Sequence, residues 1–170
     1  MQDLTIPHRG NTGSSTYFVT ANTFCKQNIL RSDRMASLFC ETLSRYQREG
    51  KIFLHEFVVM PNHFHLLLTV PRGLTLERVM QYIKGGFSYQ ARKLFEISGE
   101  IWQTSFLDRR VRDSAEYSRF RTYIRENPVR TGLVQEADEF LYSSANLAAK
   151  LDPVPQGLKP EHDEAECVQA

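Results

Sequence analysis

The chain has 170 residues, the size of one ordinary domain, and at 41% hydrophobic it carries enough apolar material for a real core. Charged residues make up 24% and mean hydropathy is −0.41, which excludes the disordered and fibrous classes. The longest apolar run, around Leu66–Leu68, is far too short to span a bilayer, so no membrane association is expected. Residues 1–13 lack a basic start followed by an apolar stretch, so the expected location is the cytoplasm. Cys25, Cys40 and Cys167 are odd in number and have no CxxC spacing. They read as reduced thiols rather than a disulfide framework or a cysteine zinc site.

The net charge of +1 hides an uneven distribution. Residues 1–77 hold eight Lys/Arg against six Asp/Glu, 78–131 hold eleven against six, and 132–170 hold two against eight. A basic, arginine-rich centre is either a solvated helix face or a phosphate-binding surface, and charge alone leaves both open.

In chain order, residues 1–14 are polar and glycine-containing and read as a flexible lead-in. Thr16–Thr23 is aromatic and β-branched, a first strand. From Asp33 to Arg48, Met35, Leu38, Phe39, Thr42, Leu43 and Tyr46 recur at helical spacing, with Ser32 as N-cap and Gly50 as stop. Residues 51–60 and 63–70, split by Pro61-Asn62, read as an antiparallel strand pair buried on at least one face. A second helix runs from Thr75 through Phe95. Gly85-Gly86 in its middle marks either a kink or a close approach by another backbone. Ile101–Val111 has strand character, and Asp113 with Glu116 caps a third helix, Ser114–Glu126, which Pro128 should end.

The order βαββαβα suits an α+β sandwich of the ferredoxin-like kind, an antiparallel sheet with helices packed on it. A doubly wound sheet would need regular βαβα alternation and a glycine-rich phosphate turn, and the sequence has neither. The expected domain is 15–148, followed by an acidic, disordered tail over 149–170.

His63-Phe64-His65 opens a strand, where side chains alternate faces, so both imidazoles project to one side and Phe64 to the other. An HxH pair suits a divalent metal but needs further ligands; alternatively the two are ordinary surface or core histidines. Tyr123 and Asn127 lie four residues apart on one helix face. Either the Asn127 amide completes a His/His/amide set with Tyr123 beside it, or Tyr123 packs in the core and Asn127 caps the helix. A phenol ionises only near pH ~10 and is a poor nucleophile alone. Beside a Lewis-acidic cation and a bound phosphate it becomes a useful one.

Five segments together resemble a known family: VVMPNHFHLLL (58–68), VMQYIKGGFSYQARKLF (79–95), IWQTSFLDRRVRD (101–113), YIRENPVRTGLV (123–134) and YSS (142–144). The resemblance is to the single-tyrosine HUH transposases, and within them to the REP-associated tyrosine transposases of bacteria. It covers most of residues 16–147 and implies the HUH endonuclease fold.

It also implies strand transfer on single-stranded DNA hairpins through a 5′-phosphotyrosine intermediate and a free 3′-OH, with Mg²⁺ or Mn²⁺ as cofactor. Carried over by position, His63 and His65 match the metal pair and Tyr123 the nucleophile. Asn127 stands where insertion-sequence relatives place a glutamine ligand. Asn is one methylene shorter, so its amide serves either directly or through a bridging water. The basic centre becomes a track for the DNA backbone, with Lys84, Arg109, Arg110, Arg112 and Arg130 as contacts. Trp102 and Phe106 either stack on unpaired bases or pack in the core. Relatives leave monomer and homodimer equally open.

Tyr89 is a rival nucleophile on the second helix. It is ranked lower because no amide or carboxylate follows it by four residues and because its stripe reads as packing. No GxxxxGK[ST] phosphate loop occurs, consistent with chemistry that conserves phosphodiester energy. Two other readings compete. One is a catalytically silent DNA-hairpin binding protein. The other is an HxH metallohydrolase of small molecules, which would usually add an aspartate where Leu66–Thr69 stand.

Overall fold

The computed structural model describes residues 14–146 and 150–159. The lead-in over 1–13, the acidic run Glu161–Glu166 and Cys167 therefore lie outside the described residues. The elements follow the expected order: β1 (Ser15–Asn22), α1 (Asp33–Arg48), β2 (Phe53–Met60), β3 (His63–Val70), α2 (Leu76–Phe95), β4 (Leu107–Arg110) and α3 (Ser114–Arg130). The strands form one antiparallel sheet in the order β2-β3-β1-β4. This is the expected α+β architecture.

Strand alternation splits the core in two. Val19, Ala21, Phe64, Leu66 and Leu68 face α1 and α2 and join Phe39, Ile83 and Phe87 in the larger cluster. Val58, Met60 and Leu67 face the other way and pack under Tyr117, Phe120 and Ile124 of α3. Both faces of β2 and β3 are thus covered, which is why these strands read as near-continuous apolar runs. Phe64 is fully buried among the rings of Phe39 and Trp102, 4.6 and 5.4 Å between centroids. Its anchoring forces His63 and His65 to the α3 side.

The alternation of β2 breaks at one bulge. Leu54 pairs with Leu68, but the next paired residue is Glu56, opposite Leu67. His55 is the extra residue, buried, with its ring against Tyr117 and its Nε2 2.8 Å from the Thr69 hydroxyl. Burial holds its pKa below the ordinary 6.5. Below about pH 6.5 the unfolded chain therefore takes up a proton that the folded chain refuses, and stability falls as pH falls. We expect the melting temperature to drop between pH 7 and 5, and His55→Gln to flatten that slope; an unchanged slope would exclude His55 as its source.

Four sequence expectations need correction. The strand expected over Ile101–Val111 shortens to Leu107–Arg110, with Trp102 only in an isolated bridge to Thr23. Trp102 turns into the core, and the Lys84 ammonium binds the carbonyls of Gln103 and Thr104, removing them from any ladder. Pro128 does not end α3, which continues to Arg130. So near the C-terminus the ring forfeits one helical hydrogen bond, while Thr131 donates from both its N–H and its hydroxyl to the Asn127 carbonyl.

Gly85-Gly86 makes no break in α2; the close neighbour is a side chain, the Tyr46 phenol of α1, standing where a Cβ on Gly86 would go. Finally, residues 150–159, assigned by sequence to a disordered tail, pack on the domain. The Asp152 carboxylate accepts from the Leu54 N–H at 2.7 Å and the Gln47 amide at 2.8 Å, and Leu158 is buried beside α3.

Candidate active site

The site forms where β3, β1 and α3 meet on the α3 face of the sheet. His63 and His65 lie side by side there, ring centroids 4.9 Å apart. Each ring is oriented from behind. The His63 Nδ1–H donates to the Asn62 side-chain oxygen at 2.7 Å, which leaves its Nε2 lone pair free. The Nδ1 of His65 is 2.7 Å from the Thr20 hydroxyl on β1. Burial lowers the pKa of both rings, with a smaller contribution from Lys26 at His63; that of His65 falls to about 3 through burial and then the neighbouring His63. Both are therefore neutral imidazoles at physiological pH, the form that ligates a metal.

Helix α3 brings the other two residues. Its N-terminus is fixed by Asp113, whose side chain accepts from the Glu116 N–H at 2.8 Å. Phe120 then stacks on Phe18 of β1 at 4.5 Å, which sets the height of the next turn. Tyr123 stands edge-on to His65, centroids 5.2 Å apart, and borders an open cavity of about 550 Å³ shared with Arg119, Thr122 and Arg130. The Arg130 guanidinium lies 5.8 Å from the Tyr123 ring centroid.

Asn127 is buried, its Nδ2 3.5 Å from the His65 Nε2, and its Oδ1 is buried without a hydrogen-bond partner. An orphaned amide oxygen beside a neutral imidazole pair fits a divalent cation, and a half-turn of the amide exchanges which atom faces His65. His63, His65 and Asn127 thus come together within one chain, with Tyr123 beside them. No cluster of three His, Cys, Asp or Glu able to hold a metal occurs among the described residues. Thr20 stands behind the His65 ring, so a cation held by that ring should bind about 10–100-fold more weakly in Thr20→Val, read by calorimetry with Mn²⁺, with an unchanged fold.

The basic residues are less uniform than their clustering suggests. Arg109 pairs with Phe18 and lies on the site face of β4, whereas Arg110 pairs with Tyr17 and lies on the opposite face. Arg112 and Arg130 are exposed, one before α3 and one at its end. Lys84 sits on α2, half-buried and engaged by two main-chain carbonyls. Tyr89 is 64% exposed, so packing does not explain its stripe; being on α2, it lies across the sheet from the histidines. Trp102 is core, 7% exposed, and Phe106 packs partly against the same cluster.

Sequence reasoning missed Thr20 and Asn62, the residues behind the rings, and Lys26. Lys26 follows Cys25 in a loop where both residues have positive φ, 52° and 51°, and its charge is felt at His63. Nothing in the local sequence marks that loop as strained.

The family model described as IS200-like transposase matches residues 13–127. A Haemophilus influenzae protein described as a REP-associated tyrosine transposase is 28% identical over 146 residues, covering 75% of this chain and 82% of its own length. The REP-associated tyrosine transposase of Escherichia coli K12 is 25% identical over 142 residues, covering 82% of both.

In three dimensions the chain resembles a REP-associated tyrosine transposase solved bound to a REP hairpin, with TM-score 0.68, 21% identity and 94% of each chain covered. A Deinococcus radiodurans protein described as a transposase gives TM-score 0.52 at 21% identity, over 75% of this chain and 97% of that one. These two likenesses concern the fold. The family model, by contrast, runs through both histidines, Tyr123 and Asn127, and on that match the chain belongs to the IS200-like transposases.

Proposed function

We propose that this protein is a divalent-metal-dependent endonuclease and strand transferase for single-stranded DNA folded into hairpins, acting in the cytoplasm with Tyr123 as covalent nucleophile. The observation that carries this reading is the Tyr123 ring 5.2 Å from His65, with the unpartnered Asn127 oxygen beside the same imidazole. The hairpin bound to the structural neighbour named above is the reason to choose that substrate here.

In the cleavage step the Tyr123 Oη forms a bond to phosphorus as the P–O3′ bond breaks. The phenol proton passes to solvent through the open side of the site, and the departing 3′ oxygen takes one up. The products are a 5′-phosphotyrosine and a free 3′-OH, and attack by another 3′-OH reverses the step and rejoins strands. The phosphodiester energy is conserved throughout, so no nucleotide cofactor is required. Mg²⁺ or Mn²⁺, held by His63, His65 and Asn127, would supply Lewis-acid polarisation of the phosphate. Arg109, Arg112, Arg130 and Lys26 would hold flanking phosphates, Arg110 would meet DNA on the far face, and Lys84 would contribute through the loop it anchors.

The test is incubation of the protein with labelled single-stranded hairpin DNA from sequence flanking the gene, with Mg²⁺ or Mn²⁺ present. A protein–DNA adduct that survives denaturation and disappears with EDTA is the expected result. Tight hairpin binding, indifferent to EDTA and without adduct, would instead establish a silent binding protein.

A further inference from the structure

The far flank of α3 holds a second polar cluster, which plays no part in the chemistry above. Glu56 of β2 is 2% exposed, yet it is a carboxylate. Its Oε1 accepts from the Arg121 Nε at 2.9 Å and from the Arg125 Nη2 at 3.0 Å, and its Oε2 from the Ser144 hydroxyl. Ser144 is itself fixed to β2, accepting from the Phe57 N–H at 3.0 Å and donating its own N–H to the Phe57 carbonyl at 2.8 Å. The YSS segment singled out in the sequence thus ends on this carboxylate.

Arg121 and Arg125 are one turn apart on one flank of α3, and Tyr123 and Asn127 are one turn apart on the other. Each member of one pair is about 200° around the helix from its neighbour two residues on. Between the flanks the contact with the sheet is apolar, Tyr117, Phe120 and Ile124 on Val58, Met60 and Leu67. Such a surface specifies burial better than it specifies roll. Of the charges in this cluster only the carboxylate is buried, the Arg121 and Arg125 side chains remaining 48% and 36% exposed, so solvent weakens its contribution to stability. The attested use of a charge buried in this way is to select one geometry. A roll of α3 by about 15° would move an oxygen about 8 Å from the axis by about 2 Å. Misplacement by about 1 Å can slow a reaction about 100-fold.

We propose that Glu56 is a positioning residue: with Ser144 it clamps Arg121 and Arg125 and thereby sets the roll of α3 that brings Tyr123 and Asn127 to His63 and His65. The inference rests on the proposed active site, and it concerns how that site is assembled rather than what it does.

Glu56→Gln and Arg121→Met are compared with the unmodified protein in Mn²⁺ titrations and in single-turnover adduct formation, after a cooperative melt shows each variant folded. Both variants should bind Mn²⁺ at least fivefold more weakly. Both should form adduct at least tenfold more slowly at saturating hairpin, with the half-saturating DNA concentration within twofold. The two changes alter local charge in opposite senses, so a simple field effect would weaken Mn²⁺ binding in one and strengthen it in the other. Opposite shifts, or unchanged Mn²⁺ affinity in both, would overturn the clamp. Should Glu56→Gln fail to fold, Ser144→Ala takes its place with the same expectations. If the unmodified protein forms adduct and the variants match it, the clamp fails while the active-site reading stands. If the unmodified protein forms none, the active-site reading is what fails.

Discussion

Tyr123→Phe should reduce covalent DNA adduct at least about 1000-fold, equivalent to about 4 kcal/mol of barrier, while leaving hairpin affinity within about twofold. The substitution removes one oxygen and keeps the ring. The edge-on contacts of that ring with His65 and Phe18, at 5.2 and 5.8 Å, are therefore retained. Because Tyr123 is half-buried at the rim of an open cavity, no buried polar group is stranded by the change. The fold should melt as before, so loss of adduct would report chemistry alone. Nicking that persists in Tyr123→Phe would remove Tyr123 as nucleophile. Tyr89→Phe is the control: Tyr89 lies across the sheet from the histidines, and adduct formation should not change.

His65→Ala should abolish measurable Mn²⁺ binding and cut cleavage at least about 100-fold, the upper end of what losing even a supporting residue does at a metal site. His65 sits at the centre of the constellation, touching Thr20, Asn127, Phe18 and Tyr123. Its depressed pKa has a second consequence. With an ordinary value of 6.5 and a folded value of about 3, taking the metal-free protein from pH 7 to 5 costs about 2 kcal/mol through this residue. The unfolded chain binds the proton there and the folded one does not, so stability falls with acid. His65→Ala should therefore lose Mn²⁺ affinity and become less acid-labile together. Retention of EDTA-sensitive cleavage in this variant would place the metal elsewhere.

Most of the fold was legible because its signals are local. The helical stripes of α1 and α2, the Pro61-Asn62 break and the Asp113 cap each reside within a few residues. The same holds for HxH and for the Tyr123/Asn127 spacing, which left a site and ordinary packing both open; the family resemblance supplied the roles, and the structure brings strand and helix together. What sequence did not show depends on distant pairing. The hydrogen bonds of Glu56 to Arg121 and to Ser144 join residues 65 and 88 apart, and no window contains both ends. Trp102 misled for a similar reason. Its strand-like neighbours promised pairing, but the pocket formed by Phe39, Phe64 and Phe87 captured the indole. The basic centre read as one patch, yet strand alternation sends Arg109 and Arg110 to opposite faces.

The bulge at His55 makes β2 a strand of two parities. Before it, Leu54 points toward α1 and α2; after it, Phe57 and Val59 take up that role on the opposite count, and Glu56, Val58 and Met60 point toward α3. Deleting His55 would leave Leu54 and Glu56 adjacent on opposite faces, the alternation of a regular strand, with every later residue still opposite its present partner on β3. What would be lost is the imidazole between Tyr117 and Thr69. Deleting a residue from the regular stretch 57–60 would instead send those after it to the wrong layer. The bulge is thus the one place in β2 where the chain carries a spare residue, and a single-residue deletion there should be tolerated better than one a few positions on.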